Sequence, residues 1–243
     1  MKGFTKYILA LLILGSLFSL FYNCNKKSTK ENQPPKCSIS PTSLVYDTVE
    51  VGGSSEKSFT IKNIGGGTLS GSVSEGLEAG RDQYQFVSGS GSYSLGAGES
   101  KIVTISFKPT KTGYWTCVTR TGNELCSDVS LSGTGVPPCC SISPDSLNFD
   151  TVTVGSSLEK TFTISNCSFS GATLTGYLSL DYDCSFYGYS IVSGSGNFSL
   201  GPGQSRTVNV KFAPRSSGYR TCTIHTNSVA DACGDVICSG TGK

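Results

Sequence analysis

One stretch of sequence occurs twice in the chain, as CSISPTSLVYDTVEVG at residues 37–52 and as CSISPDSLNFDTVTVG at residues 140–155, with 12 of 16 residues identical. A second matching pair covers residues 85–117 and 190–222, with 17 of 33 residues identical, and each copy ends in Ser-Gly-Thr-Gly. The period of 103–107 residues is the size of a sandwich domain and is too long for a solenoid repeat. The sequence therefore predicts one folding unit that occurs twice.

Apolar and polar residues alternate inside each copy. The pattern is clearest at Val103, Ile105 and Phe107 in the first copy, and it recurs at the matching positions of the second, Val208, Val210 and Phe212. A period of two residues places one face of a strand in a core and the other in water. Glycine-rich segments separate these runs at the spacing of short strands, and no segment keeps a helical period. We therefore predict an all-β chain of two tandem Ig-like antiparallel β-sandwiches, with about seven strands each.

Several short motifs follow one another in the same order in both copies. They are Ser40-Pro41, Phe59-Thr60-Ile61 and Phe107-Lys108-Pro109 in the first copy, and Ser143-Pro144, Phe162-Thr163-Ile164 and Phe212-Ala213-Pro214 in the second. This order resembles the ASH (abnormal spindle/Hydin-type) Ig-like domains and the related bacterial choice-of-anchor surface-protein repeats. The resemblance covers residues 37–242 and implies an Ig-like module that serves as a stalk, scaffold or adhesive surface. It brings no catalytic motif with it.

The composition argues against several classes of function. The 243 residues include 19 basic and 17 acidic ones, a net charge of +2, and no basic cluster, which argues against a nucleic-acid partner. The only histidine, His225, cannot build a histidine-rich metal site. No motif calls for a cofactor, so we expect none.

The N-terminus has the pattern of an export signal. Lys2 and Lys6 precede an apolar segment at residues 7–22, which is short for a membrane span, and Cys24 follows it directly. This arrangement resembles a bacterial lipoprotein signal, in which the cysteine is lipidated, although Phe21-Tyr22-Asn23 departs from the usual small residues before it. An uncleaved signal anchor and ordinary signal cleavage are the alternatives. All three place the rest of the chain outside the cytoplasm, in the periplasm or at the cell surface of a bacterium.

The domain organisation follows from the repeat. We predict a signal peptide at 1–24, a polar tether at 25–36, one ASH-like domain at 37–135, a short hinge at 136–139 and a second ASH-like domain at 140–243. The membrane is then a partner through a lipid or signal anchor.

Ten cysteines remain when Cys24 is set aside, and an even number in an exported chain favours disulfides over metal ligands or reactive thiols. The cysteines that recur in both copies suggest that a disulfide closes the last hairpin of each domain. The predicted pairs are Cys117–Cys126, Cys222–Cys233, Cys140–Cys238, Cys37–Cys139 and Cys167–Cys184. Zinc is disfavoured because no Cys-x₂₋₄-Cys knuckle is present.

Candidates for chemistry are few. His225 lies in a strand pattern beside a hairpin and lacks an activated serine in a nucleophile elbow, so a surface histidine is the better interpretation. Asp181 and Asp183 are two potential calcium ligands without the Asp-x-Asx-x-Asx-Gly loop, and a solvated acidic loop is favoured. The SGSG segments at 88–91 and 193–196 lack the lysine and helix of a phosphate loop, so we predict strand–turn–strand.

An aromatic cluster in the second copy is the one candidate ligand contact. It contains Tyr177, Tyr182, Phe186, Tyr187 and Tyr189. Such side chains can stack on sugar rings or anchor a protein partner, and they can equally plug the end of a sandwich.

We therefore expect a non-catalytic, membrane-tethered envelope or cell-surface protein that acts in adhesion, scaffolding or protein binding. The alternative is a secreted carbohydrate-binding accessory module that uses the aromatic cluster. An enzyme is disfavoured, because no pair of positioned catalytic groups is evident.

Overall fold

The computed structural model describes residues 33–243, which fold into two tandem β-sandwiches. The predicted signal peptide, Cys24 and most of the tether lie outside the described residues. In the part of the chain that is described, no helix is long and apolar enough to cross a membrane.

Each sandwich has nine strands. The first contains β1 (Cys37–Ser40), β2 (Ser43–Glu50), β3 (Ser55–Asn63), β4 (Leu69–Glu75), β5 (Tyr84–Ser88), β6 (Gly91–Leu95), β7 (Ser100–Phe107), β8 (Gly113–Arg120) and β9 (Val129–Val136). The second contains β10 (Cys140–Ser143), β11 (Ser146–Val152), β12 (Leu158–Asn166), β13 (Leu174–Leu180), β14 (Tyr189–Ser193), β15 (Gly196–Leu200), β16 (Ser205–Phe212), β17 (Gly218–His225) and β18 (Val236–Gly242).

The two sandwiches have the same topology. In the first, one sheet has the order β1-β3-β7-β5 and the other β2-β9-β8-β4-β6; the second repeats these orders as β10-β12-β16-β14 and β11-β18-β17-β13-β15. The predicted all-β class with two tandem sandwiches is confirmed. Two details differ from the prediction. Each sandwich has more than seven strands, and β2 pairs with β9, like β11 with β18, in parallel rather than antiparallel.

The additional strands arise where one extended run splits between the two sheets. The run at 37–50 is interrupted at Pro41, which lacks a backbone donor, so β1 joins β3 while β2 joins β9. The segment at 88–91 divides a second run. Gly89 and Gly91 adopt φ values of 82° and 81°, which an L side chain rarely adopts, and β5 and β6 on either side belong to different sheets. The strand–turn–strand interpretation of this segment is confirmed.

The alternating residues form the cores. Phe59, Ile61, Val103, Ile105 and Phe107 are each at most 2% exposed. Their counterparts in the second sandwich are buried to the same degree. Burying each such side chain contributes about 2 kcal/mol to folding, so the repeated pattern gives each unit its own core.

Within residues 33–243, four disulfides join partners other than the predicted ones. They are Cys37–Cys126, Cys139–Cys167, Cys140–Cys233 and Cys184–Cys222, while Cys117 and Cys238 are buried free thiols. The predicted pairs are therefore wrong: Cys117–Cys126, Cys222–Cys233, Cys140–Cys238, Cys37–Cys139 and Cys167–Cys184.

The error has a structural reason. Cys117 lies in the middle of β8 with its side chain in the core, whereas Cys126 lies in the loop beyond the end of that strand. That loop reaches the start of β1, so Cys126 meets Cys37, and the matching loop of the second sandwich brings Cys233 to Cys140. The disulfides themselves indicate an oxidising, exported environment.

Candidate functional site

A buried carboxylate joins the two sandwiches. Glu50, the last residue of β2, is 0% exposed, and its side chain accepts five hydrogen bonds from the linker and the second sandwich. One oxygen accepts from the Cys139 amide at 2.8 Å. The other accepts from the Ser168 hydroxyl, the Phe169 amide at 3.1 Å, and the amide and hydroxyl of Ser170 at 3.0 and 2.8 Å. We call this set the Glu50 joint.

The hydrogen bonds decide the charge state of the joint. Burial by itself raises the pKa of Glu50, but the hydrogen bonds from Ser168, Ser170 and Cys139 outweigh it and lower the pKa below its ordinary value. The carboxylate is therefore ionised at neutral pH, and the donors around it take the place of water.

The linker beside the joint is fixed at both ends, by a hydrogen bond and by a disulfide. The Val51 amide donates to the Val136 carbonyl at 2.8 Å, and Cys139 is bonded covalently to Cys167. The predicted hinge at 136–139 thus begins inside β9 and ends in a disulfide. In the second copy Thr153 occupies the position of Glu50, so the joint belongs to the first copy alone.

The structure separates the members of the predicted aromatic cluster. Tyr189 is 1% exposed, stacks on Phe212 at a centroid distance of 4.5 Å and donates its hydroxyl to the Arg220 carbonyl at 3.1 Å. Tyr189 is a core residue, and its assignment as a ligand contact is wrong. Tyr177, Tyr182 and Phe186 are 50%, 92% and 74% exposed.

Two of these aromatics line a cleft with arginines. Phe186 and Tyr187 pack edge to face at 5.8 Å, and the Arg220 guanidinium lies 5.5 Å from the centre of the Tyr187 ring. Together with Arg215 and Ser216 they enclose about 230 Å³. We call this feature the Arg220 cleft. Tyr177 and Tyr182 do not line it.

The first sandwich does not repeat this cleft. When Phe107–Cys117 is aligned with Phe212–Cys222, Trp115 takes the place of Arg220 and Thr110 that of Arg215. By the same offset Arg81 and Asp82 stand where Phe186 and Tyr187 do. The pairing of two arginines with two rings is therefore specific to the second sandwich.

His225 has a partner that explains its position. Its Nδ1 lies 2.7 Å from an oxygen of Asp235, whose other oxygen accepts the Thr226 amide at 3.1 Å. In the first sandwich Arg120 and Asp128 make the same contacts at 2.9 Å, with Thr121 in place of Thr226. The imidazole thus stands where the other copy has a guanidinium, in a contact that holds the last hairpin.

Asp181 precedes a short 3-10 turn, Tyr182–Cys184, and Asp183 lies within it; an oxygen of Asp181 accepts the Tyr182 amide at 2.8 Å. Among residues 33–243, no group of three or more histidine, cysteine or acidic side chains is placed to hold a metal ion.

Sequence reasoning missed Glu50, Arg215 and Arg220. A signal for Glu50 was present, because it is one of the 4 differences within the otherwise matching 16-residue stretch and is flanked by valines. The arginines carried no local signal, since they meet Phe186 and Tyr187 only through the fold.

Comparisons with known proteins find remote similarity to solved structures. No protein-family model and no curated protein matches the chain. A Porphyromonas gingivalis W83 protein of unknown function matches with 12% identity over 84% of this chain and 99% of its own, at a TM-score of 0.35. The ASH/PapD-like domain 7 of human CEP192 matches with 21% identity over 46% of this chain and 92% of its own, at a TM-score of 0.31. CBD12 from CALX1.2 matches with 12% identity over 78% of this chain and 79% of its own, at a TM-score of 0.31. The sheet topology makes the described part of the chain a tandem β-sandwich protein.

Proposed function

We propose that the chain is a non-catalytic, membrane-tethered protein of the cell envelope or cell surface, in which two ASH-type Ig-like sandwiches act in adhesion, scaffolding or protein binding. The Glu50 joint carries the proposal. The buried carboxylate of the first sandwich accepts five hydrogen bonds from the linker and the second sandwich, and the Cys139–Cys167 disulfide fixes the linker to the second sandwich. Coupled domains suit a protein that presents a surface at a distance from its anchor.

The anchor in this proposal is Cys24. The lipoprotein-type signal would leave this cysteine as an acylated N-terminus, followed by a polar tether of 12 residues at 25–36. A single acyl chain binds membranes only marginally, so stable anchoring requires a second chain or a basic segment beside it. The proposal assigns no catalysis, because within residues 33–243 no serine or cysteine side chain is hydrogen-bonded to the His225–Asp235 pair as a nucleophile would be.

The test compares the wild-type chain with Cys24→Ser in bacterial cells. Membrane fractionation and protease treatment of intact cells are the measurements. We expect the wild type in the membrane fraction with its sandwiches released by protease, and Cys24→Ser lost from that fraction. A Cys24→Ser chain that stays in the membrane would instead support the uncleaved signal anchor. Sandwiches that protease never releases would exclude surface display.

A secreted or tethered carbohydrate-binding module is the second candidate function. The exposed ring of Phe186 and the cleft beside it favour it, because an aromatic face at the edge of a cleft can pack on the C–H face of a sugar ring. Binding to a glycan array that is lost in Phe186→Ala, but not in Tyr177→Ala outside the cleft, would support this candidate.

A further inference from the structure

We propose that the Arg220 cleft is a binding site for an acidic sugar, a pyranose that carries a carboxylate. The inference deepens the second candidate function and rests on it. It names a charge on the ligand that the aromatic residues alone do not require.

The first step is the charge of the cleft. Arg215 and Arg220 both line it, and neither forms an ion pair with any residue in the described range. Arg220 uses one guanidinium nitrogen to donate to the Tyr219 carbonyl at 2.9 Å, which leaves its other donors available. Two unpaired guanidinium groups beside one cleft attract an anion, and a guanidinium binds a carboxylate through two parallel hydrogen bonds.

The second step is the orientation of Arg220. Its guanidinium lies 5.5 Å from the centre of the Tyr187 ring, within the range of a cation–π contact. The Tyr187 ring packs in turn against Phe186 with an interplanar angle of 70°. The guanidinium is therefore supported before a ligand arrives, which reduces the entropy lost on binding.

The third step is the shape of the ligand. The cleft of about 230 Å³ is smaller than the 300–1,000 Å³ that drug-sized ligands occupy, so it suits a single ring. Phe186 is 74% exposed, so the face of its ring is open to a ligand in the cleft. A sugar ring with a carboxylate places an apolar C–H face against Phe186 and its charge against the arginines.

The test uses the intact chain and pairs of glycans that differ only in charge. Oligosaccharides ending in hexuronate or sialate are printed beside their methyl esters, and the best binder is titrated by calorimetry. We expect an acidic glycan to bind, its methyl ester to bind at least tenfold more weakly, and added salt to weaken binding. Arg215→Ala and Arg220→Ala should each reduce the affinity at least tenfold, and Arg220→Lys should fall between Arg220→Ala and the wild type.

Arg81→Ala is the matched control, because Arg81 is an exposed arginine at the position of Phe186 in the first sandwich, and it should leave binding unchanged. Melting temperatures verify that each variant is folded. Equal binding of the acid and its ester would overturn the inference and leave a carbohydrate-binding function standing. Binding of a poly-glutamate peptide without any glycan would overturn it in favour of a protein partner. Binding of neither probe would reject both the inference and the carbohydrate-binding function.

Discussion

At the scale of single residues, removing the Glu50 side chain should have the largest effect on how the two sandwiches are coupled. Glu50→Ala leaves five hydrogen-bond donors facing a cavity, and we expect a loss of about 3 kcal/mol at the joint. Glu50→Gln keeps the shape but replaces one acceptor by a donor, at a cost of about 2 kcal/mol. Small-angle X-ray scattering should show a wider spread of domain arrangements in both variants. Thr153→Ala, at the matching position, is the control.

The same residue gives the joint a pH dependence. Because the pKa of Glu50 is lowered on folding, its contribution is complete above the ordinary value of 4.5 and is lost as the pH falls through the lowered one. The scattering profile should therefore be constant from pH 7 to 5 and change below that in the wild type. A Glu50→Gln chain should show no such step. A step of equal size in both chains would assign the transition to another group.

The two free thiols should be inert in the native protein. Burial raises the pKa of the Cys238 thiol to about 12, and burial together with the neighbouring Glu78 raises that of Cys117. At pH 8 both are protonated and inaccessible, and the thiolate is the reactive form. Ellman's reagent should find neither in the native chain and both after unfolding without reductant. A third reactive thiol would show that Cys24 carries no acyl group.

At the scale of the element, the last hairpin of each sandwich depends on one aspartate. Asp235 holds His225 and the Thr226 amide, and Asp128 holds Arg120 and Thr121 in the same way. Asp235→Ala should cost about 1.5 kcal/mol, because the amide loses its acceptor. His225→Ala should cost under about 1 kcal/mol, because the pair is half exposed. Thermal melts monitored by circular dichroism would check that Asp235→Ala loses more stability than His225→Ala. A larger loss in His225→Ala would mean that the imidazole has a role beyond this contact.

The strands also show what sequence can and cannot predict. Phe59, Ile61, Val103 and Ile105 were placed in the core by alternation, because the side-chain period of a strand is a local property. The parallel pairing of β2 with β9 was missed, since the identity of a strand's neighbour depends on the whole topology. The predicted cysteine pairs were wrong for the same reason, because a cysteine's partner also depends on the whole topology. In the candidate site, Phe186 and Tyr187 were identified and the arginines that face them were not.

At the scale of the whole molecule, the disulfides should differ in what they contribute. Cys37–Cys126 and Cys140–Cys233 close loops of 89 and 93 residues, whereas Cys139–Cys167 closes one of 28. Loop entropy grows with length, so removing either long bridge should destabilise the chain by about 1 kcal/mol more than removing the short one. Denaturant midpoints of the paired Cys→Ser variants would measure this. Cys139→Ser/Cys167→Ser should in addition loosen the joint, which neither long-bridge variant does.

The placement of the long bridges has a mechanical consequence. Each spans nearly a whole sandwich, so a tensile load applied between Cys37 and Lys243 passes through sulfur and bypasses the residues in between. Only the segments 126–140 and 233–243 can then extend under load. At roughly 3.5 Å per residue they reach about 80 Å, whereas the whole stretch from Cys37 to Lys243 without disulfides would reach about 700 Å. Single-molecule stretching should give that short extension when the chain is oxidised and the long one after reduction. Under load the oxidised protein therefore keeps a nearly fixed length and extends little.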